Sequence, residues 1–198
     1  EMCRRADAVI CSTHEQHQNV LSFCKNVHII LDFHAMIANE VKKDYSAGEV
    51  FNFVWEGLPE NLCSFFEIRE VLESLKKDFK IALHVVTDLE YFQYMGRFCK
   101  RRTSDKIRKL FSPTYLYEWN ENLFPRIICA CDMALIPVHM DHPLFRGKPE
   151  NKLLIFWRMG MPAVVSGTPA FSRVMDQCGL PMYCRSQQEW YDTIKKYI

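Results

Sequence analysis

The sequence lacks a G-x-G-x-x-G loop, any C-x-x-C pair, any Asn-Gly turn and any apolar run of about 18 residues. The first absence removes the usual dinucleotide fingerprint, in which glycines let backbone approach a pyrophosphate. The second removes the common spacing of structural zinc sites and redox thiols. The third argues against tight two-residue hairpins, and the fourth against a membrane-spanning helix. No charged-then-apolar leader is present either. An excess of charge is also missing: 25 Lys and Arg stand against 24 Asp and Glu, a formal net charge of +1. Such a balance gathers no nucleic acid at a distance, so no nucleic-acid partner is expected and any anion site must be local.

With 48% hydrophobic residues in 198, the chain can bury a core of ordinary size plus an appendage. Its nine cysteines are odd in number and scattered, which reads as reduced thiols of a cytoplasmic protein. The chain begins at Glu1 without Met and enters a strand pattern at once, so a missing N-terminal partner is expected.

What is present is a regular alternation that follows a polar break at 43–48. Val50–Trp55, Ile81–Val86, Thr114–Tyr117, Met133–Ile136, Ala163–Val165 and Pro181–Tyr183 are apolar runs too short for helices. Helical patterns separate them. Phe65, Ile68, Val71, Leu72 and Leu75 recur at three and four with Asn61 as cap; others run from Tyr91 to Phe98, from Glu121 to Cys131 capped by Asn120, from Pro169 to Cys178, and from Gln187 to Ile198. Lys100-Arg101-Arg102 reads as a solvated helix end. Six strands alternating with helices predict an α/β fold, a doubly wound parallel sheet of Rossmann-like type. Before the break, strands near Ala6–Cys11 and Val27–Leu31 flank a helix from His14 to Cys24 capped by Ser12 or Thr13, and a further helical stretch follows Asp32.

The densest signal is the stretch Lys148 to Ser166. Pro149 suits a first helical turn, Leu153, Leu154, Phe156 and Trp157 form one apolar face, Gly160 supplies a left-handed end, and Pro162 forbids continuation. Lys148, Asn151 and Lys152 at this helix start place two ammonium groups beside free N–H groups, which suits a phosphate; they could equally be solvated. Glu150 could accept ribose hydroxyls or simply favour the helix terminus. Ligands of doubly wound sheets sit beyond the carboxyl ends of the strands, where strand order reverses. The loops there are 56–61, 87–91, 118–120, 137–152 and 166–169. In them Gly57 permits close backbone approach, and Tyr117, Glu118 and Trp119 offer either a resting place for a nucleobase or core aromatics. His14 and His17, with His28 and His34, lack partners at ligand spacing, so no metal is expected. His139 and His142 flank Asp141 and are acid, base or phosphate-donor candidates, or merely solvated.

Four segments, in order, resemble the C-terminal half of group 1-type nucleotide-sugar glycosyltransferases of the GT-B architecture. They are Ala6 to Ser12, Val54-Trp55-Glu56-Gly57, Ala130 to Pro137, and Asn151-Lys152-Leu153-Leu154 with Met159 to Ser166. The resemblance implies that 49–198 is a Rossmann-like domain binding a nucleotide-sugar donor, and that 1–48 is the tail of a missing N-terminal acceptor domain plus linker. It implies sugar transfer in polysaccharide or glycoconjugate synthesis, without cofactor or metal, and peripheral membrane contact only through the missing half. The loop before Asn151 and Lys152 would meet the diphosphate and sugar, Tyr117 to Trp119 would face the base, and Glu56-Gly57 would line the cleft. Gly147 and Ile155 stand where that family has two glutamates, and 58–63 lacks its Arg and Lys. Ribose and diphosphate recognition would then fall to Glu150, Lys148, Lys152 or Arg146. The alternative is a non-catalytic nucleotide-binding or interaction module with the same fold.

Overall fold

Six short apolar runs come together side by side because the inner ones, such as Ile81–Thr87, Met133–Ile136 and Ala163–Ser166, must bury both faces, which a parallel sheet covered by helices achieves. The structure, a computed structural model, describes residues 1–31, 34, 39–93, 99–141 and 143–198. Along the chain it forms α1 (Met2–Arg5), β1 (Val9–Cys11), α2 (His14–Val20), β2 (Val27–Ile29) and β3 (Phe51–Glu56). A 3-10 stretch (Pro59–Glu67) precedes α3 (Arg69–Leu75), β4 (Ile81–Thr87), β5 (Glu90–Gln93), β6 (Cys99–Arg102), α4 (Thr103–Ile107) and β7 (Thr114–Glu118). Then come α5 (Phe124–Ala130), β8 (Met133–Ile136), α6 (Pro143–Arg146), α7 (Asn151–Arg158), β9 (Ala163–Ser166), α8 (Pro169–Gln177), β10 (Tyr183–Cys184) and α9 (Gln187–Lys195).

The central sheet has the order β10-β9-β8-β3-β4-β7, and every pairing in it is parallel. The chain winds outward from β3 through β4 to β7, then returns to the other side of β3 at β8 and winds outward again. The turning point lies between β3 and β8. One face buries Phe53, Trp55, Leu83, Val85 and Leu135 with side chains of α3, α4 and α9. The other buries Val54, Val86, Ala134, Ile136 and Val165 with those of α5, α7 and α8. The doubly wound α/β fold expected from the alternation is the one found.

α7 behaves largely as its sequence dictates. Leu153 and Phe156 are fully buried, and Gly160 takes φ +71° as the helix ends. Pro149 lies outside the helix, whose N-cap position is Glu150. The expected break is tied to the domain at its near end. The Lys42 ammonium, 6% exposed, donates to the carbonyls of Cys129 (3.2 Å) and Cys131 (2.7 Å), where the end of α5 presents free acceptors and a negative dipole end. The Tyr45 hydroxyl donates to the Gly160 carbonyl at 2.9 Å.

Three expectations need correction. The helix expected from Tyr91 begins as strand β5, which pairs antiparallel with β6, so Lys100-Arg101-Arg102 is a strand. Aromatic Tyr91 and Phe92 suit a pleated surface, and Glu90 pairs with Lys100 across it. Residues 94–98 lie outside the described residues. Asn61 caps no helix, because the chain there is a 3-10 stretch and the Asn61 side chain accepts from Lys148 instead. α2 stops at Val20, although its Thr13 cap forms as expected, accepting from Gln16 N at 2.9 Å. The helical stretch expected after Asp32 falls largely outside the described residues, and 39–48 holds no regular element.

Near the N-terminus β1 and β2 make a separate two-stranded parallel sheet, with Ile10 and Ile30 66% and 59% exposed. Among the described residues no helix is long and apolar enough to cross a membrane.

Candidate functional site

The carboxyl ends of β3, β4 and β7 and the first turns of α7 surround a cleft of about 430 Å³. Glu56, Gly57, Leu58 and Asn61 follow β3, Thr87 and Asp88 end β4, Trp119 follows β7, and Asn151, Lys152 and Ile155 come from α7. Glu56, Gly57, Trp119, Asn151 and Lys152, singled out from the sequence, therefore line one cleft. The cleft lies between the carboxyl ends of these strands and the start of α7.

Close packing explains Gly57. Its φ is +154°, and a Cβ added there would land on the Lys152 ammonium and 2.9 Å from the Trp55 ring. The missing side chain is what lets Lys152 cross the turn. That ammonium donates to the Glu56 carbonyl, faces the Glu56 carboxylate at 3.6 Å and lies 4.9 Å from the Trp55 ring centre. Burial pushes Lys152 below the ordinary lysine range even though Glu56 pulls it back up.

Lys148 does not line the cleft. It donates to Asn61 Oδ1 at 2.8 Å, and its ammonium sits 4.3 Å from the Phe145 ring centre. Burial lowers it too, and the neighbouring Lys152 charge adds to the shift. Among the described residues the cleft thus holds one ammonium, with that of Lys148 behind Asn61.

Glu150 and Glu118 stand apart. Glu150 is 4% exposed and accepts from Arg173 Nη2 at 2.7 Å, while Arg173 also grips Glu15 of α2 at 2.5 Å. Its Oε2 has no hydrogen-bond partner among the described residues. Its carboxylate serves a buried ion-pair network and is not among the cleft-lining groups. Glu118 borders a neighbouring depression with Glu90, Arg102 and Ser104. Tyr117 turns its hydroxyl to His84 Nδ1 at 3.0 Å and stacks on that ring, with centroids 5.7 Å apart. Burial lowers the His84 pKa, with Asp132 opposing.

The acid–base candidate His139 pairs with Glu67 at the end of the 3-10 stretch and does not line the cleft. His142 lies outside the described residues. Among the described residues no three His, Cys, Asp or Glu side chains gather as a metal site. The buried thiols are inert by the same physics: desolvation lifts Cys131 to about 12 and Cys184 to about 11. Sequence reasoning passed over Asp88, Thr87 and Asn61 as lining residues. The loop signal was there, because 56–61 and 87–91 follow strands at the expected end, but nothing local singled out these side chains.

No protein-family profile matches the sequence, and no curated protein matches it. Solved structures do. A mutant of TarM from S. aureus, crystallised with fondaparinux, α-GlcNAc-glycerol and UDP, aligns with a TM-score of 0.64 at 13% identity, over 100% of this chain and 37% of that one. A mutant O-GlcNAc transferase of Thermobaculum terrenum aligns with a TM-score of 0.55 at 15% identity, over 98% and 38%. At such identities the likeness is one of fold. The chain has the fold of the C-terminal half of a GT-B glycosyltransferase and spans little over a third of the length of these two structures.

Proposed function

We propose that this chain is the donor-binding half of a glycosyltransferase, taking a nucleotide-sugar and passing its sugar to an acceptor held by a separate N-terminal domain. The observation that carries this reading is the cleft at the carboxyl ends of β3, β4 and β7, with Lys152 from the first turn of α7 in its wall. A departing nucleoside diphosphate needs its growing charge stabilised. A fixed ammonium and the positive dipole end of a helix supply that without a metal. The exposed parallel pair β1–β2 favours an N-terminal partner, because two parallel strands are marginal alone. We place the protein in the cytoplasm, in keeping with its nine free thiols, in polysaccharide or glycoconjugate synthesis, with any membrane contact made through the N-terminal half.

One observation favours a second reading, a non-catalytic nucleotide-binding or interaction module. Lys152 is already paired with Glu56, so a diphosphate must displace a carboxylate that a committed donor site would not need. Calorimetry of the 198-residue chain with UDP, GDP and UDP-sugars tests whether the cleft binds a donor. Saturable binding is expected, weakened about tenfold or more in Lys152→Ala by loss of a charge-assisted hydrogen bond. No binding of any nucleotide would remove the proposal, while turnover needs the acceptor domain present.

The same site predicts a pH dependence. Only the protonated ammonium attracts phosphate, and Lys152 and Lys148 both sit below the ordinary value of about 10.4. Affinity should therefore fall as pH rises through their lowered values, before an exposed lysine would lose its proton. Calorimetry from neutral to alkaline pH should show this loss in the wild type and a flatter profile in Lys152→Ala.

A further inference from the structure

One charged group in the cleft has no counterpart. Glu56 faces Lys152, but the Asp88 carboxylate has neither a hydrogen bond nor an ion pair among the described residues, including with Arg102 across the shared rim of the next depression. Its backbone, by contrast, is held firmly. The buried Thr103 hydroxyl donates to the Asp88 carbonyl at 2.6 Å, and Thr103 N donates to the Leu89 carbonyl at 2.8 Å. The preceding Thr87 is buried as well, donating from its hydroxyl to the Gly57 carbonyl at 2.5 Å and accepting from Trp119 N at 3.0 Å. Asp88 is thus an unpaired acceptor on a rigid mount, between the glycine turn and an indole that is 39% exposed. On the facing helix the nearest lining side chain past Lys152 is Ile155, which has no polar group to offer.

We propose that Asp88 reads the ribose of the bound nucleotide, accepting hydrogen bonds from its vicinal hydroxyls. This rests on the donor-binding reading of the cleft. Gly57 and Asp88 stand at the carboxyl ends of adjacent parallel strands, with Glu56 paired to Val86. With the phosphates at the Lys152 ammonium beside the Gly57 turn, a nucleotide whose base reaches Trp119 carries its ribose past the end of β4, where Asp88 stands. A carboxylate offers acceptors only, which matches a diol and repels a phosphate. The phosphates would then lie toward Lys152 and the base toward Trp119.

The test uses the tightest-binding of UDP, GDP and ADP, together with its 2′-deoxy counterpart, in calorimetry with the whole chain. Wild type should bind the ribonucleotide about tenfold or more tightly, the usual effect of one hydrogen bond to a charged group. Asp88→Ala should bind both forms alike, at the affinity of the deoxy form, and Asp88→Asn should show reduced discrimination. Melting curves confirm that both variants are folded, which this exposed position permits. Equal binding of the two nucleotides by wild type, or discrimination surviving in Asp88→Ala, overturns the assignment to Asp88 while leaving the donor reading intact. Failure of every nucleotide to bind removes both.

Discussion

Arg173→Met should lower the unfolding free energy by roughly 3 kcal/mol, the toll of leaving a buried carboxylate without its cation. Glu150 is almost wholly enclosed, and among the described residues Arg173 is the cation paired with it, so the loss is not recovered from water. The Glu15 arm contributes less, because both partners are 25% exposed there and solvent screens the pair. For a chain of this size the expected fall in melting temperature is about 6–12 °C. Adding Glu150→Leu to Arg173→Met should restore much of it, since an apolar replacement of a buried pair is often neutral. A melting point within a degree or so of wild type in the single variant would show that the network is not sealed from water.

Acid titration adds a signature. Burial is the largest single influence on the Glu15 carboxyl and would raise it, but the Arg173 side-chain hydrogen bonds, a backbone hydrogen bond and the nearby charges of Arg173 and His14 together hold it below the ordinary carboxylate range. A depressed folded-state pKa contributes stability above the unfolded value of about 4.3, and that stability is lost as pH falls through the folded one. Arg173→Met should remove this part of the acid sensitivity.

Gly57→Ala should damage both stability and ligand binding. The new methyl lies 2.9 Å from the ring of Trp55, which is 1% exposed and packed against Phe65, so the ring has nowhere to go. The φ of +154° adds strain for any residue with a side chain. Together these should cost about 2 kcal/mol, or roughly 4–8 °C in melting temperature. The flexible Lys152 end can swing aside, but only by leaving the cleft wall, so nucleotide affinity should fall at least as far as in Lys152→Ala. Unchanged binding in a folded Gly57→Ala would mean that Lys152 is not the group that meets the phosphates.

The parts of the fold legible in the sequence are those whose signals are local. β8 and β9 are buried on both faces, so each appears as an unbroken apolar run. α7 carries its own stop, Gly160 in a left-handed conformation with Pro162 just behind it. The β5–β6 ladder was not legible. Residues 90–102 are too short and too polar for a period to declare itself, and their pairing is set by partners across the ladder such as Glu90 and Lys100. Lys42 read as the end of a helical stretch just before the polar break, yet it closes the end of α5, a helix that begins some eighty residues later.

The candidate site divides in the same way. The sequence alone determined the alternation of the six central strands with helices, the loops at the ligand end of the sheet, and the presence of Lys152 and Gly57 among them. Tertiary structure alone decided the occupation of each charge: Lys152 against Glu56, Lys148 against Asn61, Glu150 locked to Arg173, Asp88 left open. Helix and strand patterns arise from neighbours three, four or two positions apart, and so are written along the chain. The partner of a buried charge comes from whichever distant segment the folded sheet brings within a few ångströms, and nothing in the local sequence names it.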